Sequence, residues 1–282
     1  MCDVLVALPP VTGGATLFAK NSDRPPHERQ LVEWVDVRNE SSTRATYIEV
    51  HGHQSATQRC LISRPEWGWG AEHGVNESGV AIGNATIYTT LDPRHFPDAL
   101  TGMDLVRLGL ERATSAEHAV EIIVGLLITY GQGGSGQSPS LKPRPYWNSF
   151  LVADQSSGWV IETSGRDYAL QKISDSWSIS NRTTIPEFDT RRHPRQPVER
   201  LVDPRLNASR NLLKNRPLTI DLIKTHLASH GQSADGWDVC MHVEGVEKTT
   251  ASMIAELGCD SPPRVWVTQE SPCQSQYELL TF

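Results

Sequence analysis

The chain opens Met1-Cys2-Asp3, placing a thiol second, ahead of the alternating run VLVAL. Methionine ahead of a small residue is readily removed in cells, which would leave Cys2 carrying a free α-amine. Such an amine titrates at about 7.7–8.0 and a thiol at about 8.5. A base partly neutral near physiological pH would then sit within one residue's reach of its nucleophile. General base and nucleophile combined in one residue is the N-terminal variant of the activated nucleophile. The competing reading of Cys2 is a small buried hydrophobe in an edge strand. What favours chemistry is the next segment: PPVTGGA reads as a turn and TLFAKNSD alternates again. That hairpin returns Lys20, Asn21 and Asp23 to the N-terminus. A carboxylate there can hold the α-ammonium or the thiol proton, and a lysine can lower the thiol pKa.

Other reactive side chains have plainer readings. His51-Gly-His53 puts two imidazoles on one strand face, but no third ligand is in sight, so surface histidines are the reading. His73 and His242 read as core residues satisfied by hydrogen bonds, since a self-activating nucleophile needs no separate histidine base. Cys240 shares a strand face with His242 but lacks a papain-type signature. Trp67, Trp69 and Trp147 read as core or pocket wall, and Glu72 and Glu77 as solvated turn charges. GQGGSG is no phosphate loop, because no Lys-Ser/Thr follows at the required spacing.

The elements that must position these groups follow from pattern. Alternation predicts strands over 31–37, 46–52, 148–154 and 159–165, in YALQKIS and WSISN, and over 249–257 and 264–270. Two short strands are expected about the turn Asn76–Gly79. The period then changes: Thr101 and Asp104 form a capping box for a helix over 100–113, and Ser115 starts a second that stops at Gly131. GQGGSGQSPSLKPRP (131–145) is a long Gly/Ser/Pro-rich loop, of the kind that serves a functional or mobile role. The stretch 182–216 reads as loop with short helix, and Thr219 caps a helix over 217–231. This order fits one α+β layered domain spanning 1–282.

With 282 residues, 38% of them hydrophobic, the chain can bury a sizeable core. A net charge of −7 offers no basic field for nucleic acid or an anionic membrane. The longest apolar stretch, from Val120, is too short and too charged to span a bilayer, and no signal peptide is evident. Five scattered cysteines without CxxC spacing argue against a zinc site and a disulfide framework, so the expected location is cytoplasmic. No metal or organic cofactor is called for.

The residues also carry a resemblance. Met1-Cys2-Asp3 with Ala19-Lys20-Asn21-Ser22-Asp23-Arg24-Pro25 resembles the opening of the secernin and dipeptidase group of cysteine peptidases. The similarity continues through WGAEHGVNESGVAIGN (69–84), TGMDLVRLGLERATSAEHAVEII (101–123), NSFLVAD (148–154), SISNR (178–182), CMH (240–242), TTASM (249–253) and VWVT (265–268), in order along most of the chain. The group is similar to the penicillin V acylases and bile-salt hydrolases. The resemblance implies an N-terminal-nucleophile hydrolase with a four-layer αββα sandwich, cleaving amide bonds, most often in dipeptides. It makes Cys2 the nucleophile and Asp23 the residue that orients it. It sets Lys20 where the acylases carry arginine, and it makes Asn84 and Asn181 oxyanion-hole residues. The late arginine of the acylases has no match in the sequence. The partner implied is a small peptide or amide, and a homo-oligomer is compatible with it. The alternatives are an acylase acting on N-acyl amides or lactams with the same machinery, and a non-catalytic binding or regulatory protein on the same fold.

Overall fold

The computed structural model describes residues 1–52, 55–231 and 235–282. The opening hairpin forms as the alternation predicts, from strands Cys2–Ala7 and Thr16–Arg24. Its connection is a helical turn, Pro9–Thr12, closed by Gly13 at φ 75°, a left-handed conformation that glycine adopts without a Cβ clash. The antiparallel register sets Cys2 opposite Ser22, Asp3 opposite Asn21 and Val4 opposite Lys20. Strand Glu247–Leu257 pairs on the far side of Thr16–Arg24, with a register shift between Thr249 and Ala251. Together with Ser176–Ile179, Arg264–Thr268, Glu278–Thr281 and the short His242–Val243, these strands make a seven-stranded antiparallel sheet.

A second seven-stranded antiparallel sheet contains Gln30–Val35, Cys60–Pro65, His73–Asn76, Ala81–Ile87, Trp147–Ala153, Gly158–Ser164 and Asp167–Lys172. Period-two alternation divides the side chains of the first sheet between two cores. Cys2, Val4, Val6 and Phe18 pack with Leu61, Ala81, Ala85 and Leu151 of the second sheet. Leu5, Ala7, Leu17 and Ala19 pack instead with Leu213, Ile223 and Leu227 of the helical segments Asp203–Leu212 and Ile220–Leu227 and their flanks. The other face of the second sheet carries Ile62, Ile82, Phe150 and Val152 against helices Gly102–Arg112 and Ala116–Tyr130. The capping box of Thr101 and Asp104 is present, and Ser115 caps the next helix. The protein is therefore a mixed fold of two antiparallel sheets with flanking helices.

Several predicted elements shift. The strand expected over 46–52 shortens to Glu49–His51, which among the described residues pairs with Ser42–Arg44 alone. The helix expected to run to Gly231 ends at Leu227, because the Ser229 carbonyl turns to accept from Cys240 N. Helix Asp203–Leu212 arises inside the polar stretch read mostly as loop. Among the described residues, no helix is long and apolar enough to cross a membrane.

Gly83 matters for the site. A Cβ there would lie 2.9 Å from Lys20 Cδ, 3.2 Å from Phe18 and 3.3 Å from Val4, so the bare backbone is what lets the Lys20 side chain lie between the sheets. Gly83→Val is expected to destabilise the protein by about 1–3 kcal/mol through overpacking. Denaturant unfolding of the variant checks this, and an unchanged midpoint would show that the Lys20 channel is not tight.

Candidate active site

Cys2 sits at the edge of the inter-sheet core, 5% exposed, on a cavity of about 280 Å³. Its Sγ lies 3.6 Å from Glu72 Oε2. Glu72 is buried and bonded by Arg24 Nη1 at 2.8 Å, with Lys20 Nζ at 3.8 Å. The reading of Glu72 as a solvated turn charge is thus overturned: it is the carboxylate beside the thiol. The turn signal belongs to Glu77, which is exposed. Burial pushes the Cys2 thiol pKa up; Lys20 pulls it down and Glu72 adds to the rise. Burial also opposes ionisation of Glu72, but Arg24 and then Lys20 outweigh it and hold the carboxyl below its usual range.

The amine side of Cys2 has different neighbours. Cys2 N donates to Asn181 Oδ1 at 3.0 Å, and Arg205 Nη2 donates to the same oxygen at 3.0 Å. The amide nitrogen of Asn181 donates one of its two hydrogens to the Thr86 carbonyl at 3.0 Å. The Met1 ammonium donates to the Asp23 carbonyl at 2.8 Å and to the Glu247 carboxylate. Asp23 Oδ1 accepts from Thr249 Oγ1 at 2.7 Å, while its buried Oδ2 has no hydrogen bond among the described residues and lies 3.9 Å from Arg205. Burial raises the Asp23 pKa to about 7, against the pull of the Met1 ammonium and Arg205. Asp23 therefore stands on the amine side of Cys2 and not beside the thiol proton, which was the other position expected for it.

Asn84 is buried on the strand Ala81–Ile87 and lines the same cavity. Its amide meets Asn148 at 2.9 Å; turned about, its nitrogen donates to the Glu72 carbonyl at 3.1 Å and to Glu72 Oε2 at 3.3 Å. The five expected residues, Cys2, Lys20, Asp23, Asn84 and Asn181, are thus brought together, with Lys20 and Asp23 on opposite faces of one strand.

Sequence reasoning missed four groups. Arg205, 1% exposed, reaches Asp3 and Asn181 from helix Asp203–Leu212, where no local motif marks it. Glu247 follows the CMH string and binds both Met1 and, at 3.3 Å, Arg144. Arg144 belongs to the 131–145 loop, which supplies cavity wall through Gly136, Gln137 and Arg144. The buried Tyr146 lines the cavity too, its hydroxyl without a hydrogen-bond partner among the described residues. The remaining candidates fall out as follows. His73 is a core residue, its Nδ1 3.2 Å from Ser22 Oγ. His51 is exposed, and His53 lies outside the described residues. Trp147 is fully buried, donating to the Leu91 carbonyl.

No family model matches the chain. Among solved structures, the C2A mutant of conjugated bile acid hydrolase from Clostridium perfringens is similar over 100% of this chain and 96% of its own, at 13% identity and a TM-score of 0.57. The N-acylethanolamine-hydrolyzing acid amidase ortholog of Caenorhabditis elegans is similar over 99% and 100%, at 11% identity and a TM-score of 0.57. The fold is shared with these two hydrolases.

The charges around the thiol make a sign test. Glu72→Gln is expected to lower the Cys2 thiol pKa, and Lys20→Met to raise it. Alkylation rates against pH, with the adduct mapped to Cys2 by mass spectrometry, read both shifts. Shifts of the same sign in the two variants would contradict the arrangement.

Proposed function

We propose that this protein is a cysteine amidohydrolase of the N-terminal-nucleophile type, with Cys2 as nucleophile once Met1 is removed, and that its substrates are dipeptides or similar small amides bearing a free α-amine. The three core clusters, helix on sheet, sheet on sheet and sheet on helix, support the four-layer αββα arrangement that this reading assumes.

The observation that carries the substrate class is the seat of the Met1 ammonium. A buried carboxylate, Glu247, and a backbone carbonyl, that of Asp23, together hold a primary ammonium at the edge of the cavity. Once Met1 is gone, that seat is open to the ammonium of a substrate, and the cavity gains the volume Met1 filled. The new α-amine of Cys2 stays within reach of Asn181 Oδ1.

The chemistry then runs through groups already described. The Cys2 amine takes the thiol proton, and the thiolate attacks the substrate carbonyl. Lys20 favours the thiolate electrostatically. Asn84 and the free hydroxyl of Tyr146 are assigned to the oxyanion. Asn181, for which the resemblance implied that role, is assigned to the amine, since its oxygen meets Cys2 N. The protonated amine donates to the leaving amine, and water hydrolyses the thioester while the same amine acts as base. The presence of Cys2, Lys20 and Asp23 together in one hairpin favours an enzyme over a binding module built on the same fold.

A second reading is cleavage of an N-acyl amide, favoured by the two similar folds, whose names refer to conjugated bile acids and N-acylethanolamines. Glu247 separates the two. Cys2→Ala is expected to lower turnover by about 10³-fold or more on any true substrate. Glu247→Gln is expected to lower kcat/KM for dipeptides by about 10- to 100-fold, the worth of one charge-assisted hydrogen bond. It should leave any cleavage of N-acetylated counterparts unchanged. A preference for N-acyl substrates that Glu247→Gln does not alter would establish the second reading instead.

A further inference from the structure

We propose that His230, Cys240, His242 and Cys273 form a site for one divalent cation of zinc type, which clamps the segment walling the cavity onto the sheet that carries Asp23. One ligand atom from each of the four residues falls in a group whose members all lie within 4.8 Å of one another. His242 Nε2 is 3.5 Å from Cys240 Sγ and 3.1 Å from Cys273 Sγ, and the rings of His230 and His242 meet edge to face with centroids 5.2 Å apart. A tetrahedral ion with bonds of about 2.3 Å to sulfur and about 2.0–2.1 Å to nitrogen sets its ligand atoms roughly 3.3–3.8 Å apart. The cluster needs side-chain adjustments of only about 1 Å to close on an ion.

Two thiols and two imidazoles are the ligand set of closed structural zinc sites, and they suit a borderline-soft ion over magnesium or calcium. Two thiolates would neutralise the ion's charge, which suits a site where Cys240 is buried, His242 half-buried and the other two exposed. The exposed pair leaves a path for the ion. Binding is a simple exchange, in which the cation replaces one proton on each thiol, two neutral imidazoles donate lone pairs, and two protons are released.

The backbone holds the ligands in place without help from an ion. Cys240 N donates to the Ser229 carbonyl at 3.0 Å, fixing the chain beside His230. His242 N donates to the Gly236 carbonyl at 3.0 Å, and Met241 N to Thr249 Oγ1 at 2.8 Å. Ser271 Oγ donates to the Thr249 carbonyl at 2.7 Å, anchoring the turn that bears Cys273. Thr249 is also the residue that donates to Asp23, and Trp237, which lines the cavity, lies between the first two ligands in sequence. The spacing rule that argued against zinc fails here because three separate segments supply the four ligands, with only Cys240-x-His242 local.

The site is independent of the proposed hydrolysis, and its test does not use activity. The full chain, purified without chelator, is expected to carry one equivalent of zinc by elemental analysis. Titration of the metal-free protein with cobalt(II) should give the thiolate charge-transfer and intense visible bands of a tetrahedral site. Cys273→Ser and His230→Ala should weaken binding by more than the roughly 10- to 100-fold that loss of an outer-shell partner costs. Cys259→Ser, an exposed cysteine outside the cluster, should bind as the wild type does. Failure of the wild-type chain to take up zinc or cobalt would overturn the proposal. So would binding unaffected by both cluster variants, or a Cys240–Cys273 disulfide in a non-reducing peptide map of protein purified without oxidant.

Discussion

Antiparallel pairing of Cys2 with Ser22 is the constraint on which the site depends. Because side chains alternate along a strand, this register sends the Cys2 thiol and the Lys20 side chain to the inter-sheet face, and Asp3, Asn21 and Asp23 to the face toward Arg205. A slip of one residue would exchange the two environments. The thiol is thereby surrounded by one set of charges, Glu72 with Arg24 and Lys20. The main-chain nitrogen is surrounded by another, Asn181 and Arg205, with Asp23 alongside. Thiol and main-chain nitrogen of one residue thus sit in separate electrostatic environments, although they are only a few bonds apart.

Most of these charges are buried, Arg144 being the exposed member, and each group is answered by an opposite one. Arg24 joins Glu28 and Glu72; Arg205 joins Asp3 and approaches Asp23; the Met1 ammonium and Arg144 share Glu247. Taking ions out of water is costly, so such a network contributes little net stability, and losing one member leaves its partner uncompensated. Removal of Met1 shifts one positive charge by one residue, from the Glu247 seat to the Cys2 nitrogen. Glu247 keeps Arg144, and Asp23 keeps Arg205 at 3.9 Å beside the displaced ammonium. In this account the same seat serves first the N-terminal methionine and then the substrate.

What was legible in the sequence was local. The hairpin, the capping box at Thr101 and the turn at Asn76–Gly79 each rest on residues a few positions apart, and alternation places Lys20 and Asp23 beside Cys2. The resemblance to the secernin group added Asn84 and Asn181, which no spacing rule would have singled out. Glu72, Arg205, Glu247 and Tyr146 were not legible, because their importance comes from tertiary contacts 24 to 246 residues long in sequence. Glu72 also sits beside a strong turn signal, which drew it toward the solvent in the reading. The strand Glu278–Thr281 is only half alternating and is stabilised by its pairing with Arg264–Thr268. The Pro-rich run before Asp203 hid a helix that begins with proline in its first turn, where the missing N–H costs nothing.

The central claim is that the opening residues are the catalytic centre once Met1 has left. It is tested most directly by intact mass of the natively expressed protein before and after a thiol-capping electrophile, with hydrolysis of a dipeptide panel recorded alongside. The expected result is a mass short by one methionine, one fast adduct mapping to Cys2, and loss of turnover in step with that adduct. Retention of Met1 together with an unreactive Cys2 would contradict it, because the base would then be locked in a peptide bond.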